Sequence, residues 1–436
     1  MRELFGTDGI RGKAHKYPLD VLTMTRLGTA LARRLSGTRI VLLGRDTRES
    51  GPEIAGALAR GIEDGGGRAE IVGVIPTPGI AYLCRVTDAE AAISISASHN
   101  PWQDNGVKIF GHDGMKIPDA IEEELEADLK RVEGSTTVFE LDGEMPQLIE
   151  RYEQFLVKPN ALQGKRVVLD AGFGAAYRIA PEAFRRAGAE VIVINDTPNG
   201  RNINEESGAL HPEGLAKRVV AEKADFGVAF DGDADRAIFA DDAGNIRDGD
   251  EIIYLWAQHL KGEGKLRGNR VITTVMSNFG FEQQLQRDGI ELLRAQVGDK
   301  YVLELMLAHD AVIGGEQSGH IIDRTVHTTG DGIHTALVFG EILSRSHARF
   351  SELKTFEPMP QLLLNEKVGS KPPLESLPRY QKALVEAHQE LSGHGRILVR
   401  YSGTENLIRV MVEGDDKTRI RKIAEHLRDV LHDEIG

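Results

Sequence analysis

The chain has 436 residues, 41% of them hydrophobic and 28% charged, with a formal net charge of −14. Length and composition suit a water-soluble protein of about two to four domains, and an acidic balance without a lysine or arginine run argues against nucleic acid or an anionic membrane surface as a partner. One cysteine, Cys84, leaves no intramolecular disulfide framework; it reads as a small buried residue. No apolar stretch is long enough to cross a bilayer, and the N-terminus lacks a signal-peptide core, so the expected compartment is the cytoplasm.

The first motif in chain order is "FGTDGIRG", with Arg11 among glycines. Its spacing matches neither the dinucleotide fingerprint nor a P-loop, and no P-loop occurs elsewhere, so no nucleoside triphosphate held by that motif supplies a phosphoryl group. From Thr38, "TRIVLLGRDTRESGPEIAGALARGIEDGGGRAEIVGV" reads strand, helix, strand. The same plan returns in "KRVVLDAGFGAAYRIAPEAFRRAGAEVIVIND" from Lys165 and "NRVITTVMSNFGFEQQLQRDGIELLRAQVGD" from Asn269. A nearly continuous β-branched run, a helix ended by Gly and a second strand make a βαβ unit, which predicts parallel strands and a right-handed crossover. Three such units at even spacing predict three similar domains.

Between the first two units lies "SISASHNPWQDNGVKIFG", residues 94–111. Ser98 there invites a nucleophile reading, but the stretch lacks the elbow G-x-S-x-G. His99 is adjacent, and neighbours on an extended segment point apart, so His99 is expected to shape the loop and not to deprotonate Ser98. Taken alone, the stretch also reads as a plain Ser/Asn/Pro turn. After the strand-like "FGVAF" comes "DGDADR", residues 231–236. Asp231, Asp233 and Asp235 at i, i+2 and i+4 can converge on a hard cation such as Mg²⁺. An EF-hand is excluded because Arg236 stands where that loop needs Gly and Asp242 where it needs Glu; a solvated acidic turn is the alternative.

"GGEQSGH", residues 314–320, alternates Glu316, Ser318 and His320, two acceptors and an imidazole suited to sugar hydroxyls, or else forms a Gly-rich turn. After the Pro-rich hinge "SKPPLESLPR", a helix "YQKALVEAHQEL", two β-rich runs and an amphipathic helix "DKTRIRKIAEHLRDVLHDEI" predict a small α+β domain. Its "RYSGTENLIR", residues 400–409, offers Arg400, Ser402, Gly403, Thr404 and Arg409, an inventory fitted to a phosphate dianion or to a capped hairpin.

Together the Ser-His-Asn-Pro loop, the Asp-Gly-Asp-x-Asp-Arg loop, the Gly-Glu-x-Ser-Gly loop and the C-terminal loop occur in the order seen in the α-D-phosphohexomutase superfamily, which the chain resembles over essentially its whole length. Within it the resemblance is strongest to the bacterial branch acting on glucosamine phosphates, with mannose and glucose phosphate mutases as the alternative. It implies four domains around a central cleft, drawn here at 1–150, 151–248, 249–362 and 363–436. It also implies an isomerase working through a phosphoserine at Ser98 and a sugar 1,6-bisphosphate, and supplying amino-sugar nucleotide and cell-wall precursor synthesis. Mg²⁺ would be held by Asp231, Asp233, Asp235 and a phosphoserine oxygen, and glucosamine 1,6-bisphosphate or a related sugar bisphosphate would act as activator. Lys108 is the leading acid/base candidate and His320 the second, with Arg11 and Arg236 around the moving group. Glu316 and Ser318 would grip sugar hydroxyls, and Arg400, Ser402, Gly403, Thr404 and Arg409 the phosphate that is not reacting. Lys300 stands where this branch is expected to carry Arg, which keeps the charge and loses the bidentate fork. Trp102 and His334 depart from the expected residues and receive no role. The resemblance allows a homodimer.

Overall fold

A computed structural model describes residues 4–6, 8–139, 143–402 and 406–436. They fall into two compact units, Met1–Thr274 with Leu293–Lys354 and Val275–Leu292 with Thr355–Gly436.

In the first unit, strand Ile40–Arg45 pairs in parallel with Arg68–Val74 on one side and Ala91–Ile95 on the other, and helices Gly51–Asp64 and Thr77–Val86 make the crossovers. Its apolar side chains are buried because helices cover the sheet, which is why the run reads as continuous. Ala91–Ile95 then hands over to an antiparallel neighbour, Asp104–Gly111, which carries Gly9–Lys13 and Phe5–Gly6 beyond it. A second sheet repeats the plan. Arg166–Asp170 is parallel to Glu190–Ile194 and Phe226–Phe230, and Phe226–Phe230 turns antiparallel into Ala237–Asp241. In the third sheet Arg270–Thr274 is parallel to Ile313–Gly315, which turns antiparallel into Ile321–Asp323.

The three sheets therefore share one device. A buried parallel strand ends, a polar loop follows at its carboxyl end, and the chain returns antiparallel. Those loops are the stretches around Ser98, Asp231 and Glu316. Carboxyl ends of strands are where α/β sheets place ligands, since loops there are free of crossover packing. Cys84 lies buried in helix Thr77–Val86, and burial pushes its thiol up to about 12, so it is an inert packing residue.

The second unit contains a fully antiparallel sheet in the order Gln361–Lys367, Leu407–Gly414, Gly395–Tyr401. Helices Pro378–Leu391 and Lys417–Ile435 bury Tyr380, Ala383, Ala387, Ile423, Leu427 and Leu431 with Ile408, Val410 and Val412 of the sheet. Asp416 caps the last helix by accepting from the N–H groups of Thr418 and Arg419. Strand Gln361–Lys367 has no counterpart in the sequence reading. Its successive leucines 362, 363 and 364 fall on both faces of an edge strand with no fully buried position, which removes the period-two signal. Among the described residues, no helix is long and apolar enough to cross a membrane.

Candidate active site

Ser98 follows strand Ala91–Ile95 and takes a left-handed backbone conformation, φ 51°, which a non-glycine residue holds only when its surroundings over-determine it. The surroundings are explicit. Its N–H donates to Ser96 Oγ at 2.9 Å, and Ser96 Oγ donates to Asp46 Oδ2 at 2.5 Å. Arg48 Nη2 donates to the carbonyls of Ser98 and Asn100 at 2.9 and 2.8 Å, and Asn204 Nδ2 donates to the same two at 2.9 and 3.1 Å. The Arg48 guanidinium is wholly buried, with Nε 3.2 Å from Asp46 Oδ2. Breaking a buried pair leaves an uncompensated charge, so Arg48→Met is expected to cost about 3–5 kcal/mol in denaturant unfolding; a cost below ~1 kcal/mol would refute this account of the loop.

The turn at Ser98 corrects one expectation. The segment is not extended there, and His99 Nδ1 comes to 3.4 Å from Ser98 Oγ. The hydroxyl nevertheless donates to Asp231 Oδ2 at 2.7 Å, the far better hydrogen bond. Burial, then the Arg236 and Arg11 charges, pushes the His99 imidazole down to about 4, so it is neutral near pH 7.

Asp231 follows strand Phe226–Phe230, and the loop it opens bends at Ala234, φ 55°. A Cβ at Gly232 would stand 2.6 Å from the Ser98 carbonyl oxygen, so only glycine lets the two loops touch. Ligand oxygens of Asp231, Asp233 and Asp235 lie within 4.8 Å of one another, and all three residues are buried. Asp233 Oδ2 accepts from Thr77 Oγ1 at 2.6 Å and from Lys108 Nζ at 3.0 Å. Lys108 Nζ also stands 3.3 Å from Asp235 Oδ2 and 3.1 Å from Asp8 Oδ2. The Arg236 N–H donates to Asp231 Oδ1 at 3.2 Å, and its Nε lies 3.8 Å from Asp235 Oδ1.

Burial, with the Asp235 and Asp233 charges behind it, pushes the Asp231 carboxyl well above the usual carboxylate range. Asp233 goes the other way, because Lys108 and the Thr77 hydroxyl overcome its burial. Burial also opposes the Lys108 charge, but Asp233, Asp8 and Asp235 outweigh it and hold the group as an ammonium. Lys108 in this state can donate a proton and cannot accept one. Asp233 Oδ1 and Asp235 Oδ1 are buried without a hydrogen-bond partner. Orphaned anionic oxygens are costly, and three of these carboxylates at one point form the all-oxygen donor set that a hard divalent cation takes. The residues fit such an ion.

The third loop is tied to the second. Ala237 N–H donates to the Gly319 carbonyl at 3.1 Å, and Arg236 and His320 form an antiparallel bridge. Gln317 Nε2 donates to Asp248 Oδ2 at 2.9 Å, pinning the loop to helix Gly249–Gly262. Glu316 and Ser318 do meet, with Ser318 Oγ donating to Glu316 Oε2 at 3.3 Å and the Gly298 N–H donating to Oε1 at 3.1 Å. His320 Nε2 lies 3.7 Å from Asp299 Oδ2. Arg11 donates to the Ala97 carbonyl and pairs with Asp8, which puts it beside the Ser98 loop. Lys300 is turned to Asp119, in an ion pair at the start of helix Asp119–Leu129. His334 pairs with Asp323 at 3.1 Å and stacks on Phe155, a packing role, and Arg201 lies over the Trp102 ring.

Sequence reasoning missed Thr77, Asp8, Lys116 and Asp299. Asp8 and Asp299 sat within stretches already noted, but their partners lie 108 and 183 residues away along the chain, and no local pattern carries such a pairing.

In the second unit, Arg400 and Arg409 are cross-strand partners. Like charges directly opposite repel, and burial together with Arg409 lowers the Arg400 pKa from its usual value. Lys371 Nζ donates to the Ser402 carbonyl at 2.8 Å, a third cation at this strand end. An anion would relieve the repulsion. Gly403 and Thr404 lie outside the described residues.

Comparison with known proteins finds four family domains along the chain. The phosphoglucomutase/phosphomannomutase alpha/beta/alpha domains I, II and III match residues 2–135, 147–244 and 248–359, and the C-terminal domain of that family matches 363–430. A phosphoglucosamine mutase of Symbiobacterium thermophilum is 46% identical, with 100% of each chain covered. A solved phosphoglucomutase/phosphomannomutase family protein of Burkholderia thailandensis superposes with a TM-score of 0.81 at 24% identity, covering 100% of this chain and 98% of its own. The Aspergillus fumigatus N-acetylphosphoglucosamine mutase, solved with GlcNAc-6P and magnesium, superposes with a TM-score of 0.66 at 15% identity, covering 100% of this chain and 96% of its own.

Proposed function

The chain belongs to the phosphoglucomutase/phosphomannomutase family, and from that premise we propose that it is an isomerase interconverting glucosamine 6-phosphate and glucosamine 1-phosphate, a phosphoglucosamine mutase. The observation that carries the reading is Ser98 Oγ at 2.7 Å from Asp231, inside a ring made by the acidic triad, Lys108 and Arg236.

Ser98 is the phosphoryl carrier. Its Oγ–P bond breaks as phosphorus bonds to O1 of glucosamine 6-phosphate, the O1 proton passing to His320 while Lys108 protonates the released Oγ. The resulting 1,6-bisphosphate turns over, and the 6-phosphoryl returns to Ser98 as the Ser98 hydroxyl proton goes back to Lys108 and His320 protonates the released O6. Only return of the 6-phosphoryl gives net isomerisation, and no phosphate is consumed. Such a transfer asks the protein for positioning and charge stabilisation, since the transition state spreads charge over the phosphoryl oxygens. Arg236 and Arg11 face that charge, and Lys108 delivers a proton to the oxygen that is released. The triad's orphaned oxygens suit one Mg²⁺, which with a phosphoserine oxygen in its shell would neutralise charge on the moving group. Glu316 and Ser318 accept and donate to sugar hydroxyls in either orientation, with His320 as a second proton-transfer group. Lys300 would join them by leaving Asp119, and Arg400, Ser402, Gly403, Thr404 and Arg409 hold the phosphate that is not reacting.

The same reading carries the four domains at 1–150, 151–248, 249–362 and 363–436, a sugar bisphosphate activator, a cytoplasmic location and a homodimer. The test is a side-by-side assay of purified enzyme on glucosamine, glucose and mannose 6-phosphates with Mg²⁺ and a bisphosphate activator. Glucosamine 6-phosphate is expected to give the highest kcat/KM; a higher value for mannose or glucose would overturn the choice of sugar.

A further inference from the structure

Lys108 and His320 stand at the two ends of a line of ionisable side chains that runs through Asp8, Lys116 and Asp299. The hairpin after Asp104–Gly111 returns so that Lys116 bridges Phe110, and the Ile117 N–H donates to the Ile109 carbonyl at 3.1 Å. In a strand, residues two apart share a face, and so do cross-strand partners, so Lys108 and Lys116 emerge on the same side of this sheet edge. Two ammonium groups so placed repel unless an anion separates them. Asp8 is that anion: Oδ1 takes Lys116 and Oδ2 takes Lys108, with Arg11 also on Oδ2. On the far side Lys116 grips both oxygens of Asp299, at 2.9 and 2.7 Å, and Asp299 Oδ2 stands 3.7 Å from His320 Nε2.

The side chains of Lys108, Lys116, Asp299 and His320 are 1%, 15%, 14% and 4% exposed. Burying that many ionisable groups costs several kcal/mol each, and apolar side chains of similar volume would hold the fold as well. The string is better explained by what it fixes. The two ends are the two groups placed for proton transfer, and among the described residues the ion pairs of each interior member are with other members or Arg11. The His320 ring stands between Asp299 and Gly330, whose N–H donates to Nε2 at 3.2 Å and where a Cβ would stand 2.7 Å from the ring, so Asp299 shares the placing of the ring with Gly330.

We propose that Asp8, Lys116 and Asp299 are positioning residues of the transfer reaction, with Lys116 the centre that sets the places of Lys108 and His320 together. This rests on the mutase reading above. None of the three needs to touch the reacting atoms. Lys116 acts through Asp8 on one end and through Asp299 on the other, so a change at one end is felt at both.

The test uses full-length enzyme with Mg²⁺, glucosamine 6-phosphate and a bisphosphate activator. A misplaced catalytic group costs up to about 100-fold, so Lys116→Met is expected to lower kcat by roughly 10- to 100-fold with KM changed less than ~3-fold. Lys116→Arg, which keeps the charge, is expected to recover most of kcat. Because Lys116 and Asp299 act as one unit, Lys116→Met combined with Asp299→Asn is expected to fall well short of the product of the single losses. The ring nitrogen resonances of His320, assigned with His320→Gln, are expected to move in Lys116→Met and to return toward wild type in Lys116→Arg. Wild-type kcat in Lys116→Met, a loss confined to KM, multiplicative losses, or unmoved His320 resonances would each overturn the proposal. If another sugar phosphate proves the better substrate, the kinetic comparisons are read on that sugar; if none is turned over, the mutase reading fails and the resonances alone decide.

Discussion

Ser98→Ala is expected to lower turnover by roughly 10⁴-fold or more, the scale on which removal of a covalent carrier is felt when nothing else can take its place. The same substitution is expected to erase the one-phosphoryl mass increment from the purified protein. The fold should survive. Ser98 holds its loop through its backbone, by the N–H to Ser96 and the carbonyl to Arg48 and Asn204, and alanine keeps all of these. What is lost is one hydroxyl hydrogen bond to Asp231, worth about 0.5–1.5 kcal/mol net. Circular dichroism and a melting curve close to wild type, beside a dead enzyme with no phosphoryl increment, is therefore the expected pair of results. A variant retaining more than a hundredth of wild-type turnover would remove Ser98 from the role of carrier, whatever the rest of the site does.

Much of this was legible in the chain because the signals are local. Asp231, Asp233 and Asp235 lie within one loop after a buried strand, so spacing alone brings their oxygens together. The βαβ runs were legible for the same reason: strand Ile40–Arg45 and helix Gly51–Asp64 carry their periods in consecutive residues. The contact of Ser98 with Asp231 spans 133 residues and came from the family resemblance, not from any pattern. What failed was an inference about backbone shape. An extended segment would point His99 away from Ser98, but the left-handed turn at Ser98 is imposed by Arg48 and Asn204, which belong to other loops. Thr77, Lys116 and Asp299 escaped because each is ordinary in its own stretch and acquires meaning only from a partner far along the chain.

The acidic triad is expected to separate stability from activity, and Asp231→Asn shows this most clearly. Asp231 is buried beside two other carboxylates, and its raised folded-state pKa means that the folded protein binds this proton more tightly than the unfolded chain does. The sign follows: in metal-free wild type, this residue costs stability as pH rises above the ordinary carboxylate range toward the folded pKa. Asparagine carries no such charge; with its Oδ1 toward the Arg236 N–H, where Asp231 Oδ1 stands, its Nδ2 can donate to the Ser98 hydroxyl, so both contacts are kept. The metal-free variant is thus expected to be at least as stable as metal-free wild type near neutral pH, and to lack this fall with pH. Mg²⁺ should reverse the order. A ligand present at 100 times its Kd stabilises by about 2.7 kcal/mol, so wild type should gain a clear rise in Tm with Mg²⁺, and the variant, short of one anionic ligand, should gain much less. Activity with saturating Mg²⁺ is expected to fall by roughly 10²–10³-fold, the scale of losing one preorganised electrostatic group at a transition state. Thermal melts of both proteins with and without Mg²⁺, set beside turnover, decide the matter. A metal-free variant less stable than metal-free wild type by more than ~1 kcal/mol would mean that Asp231 is a structural carboxylate, and equal Mg²⁺ stabilisation of both proteins would place the ion elsewhere.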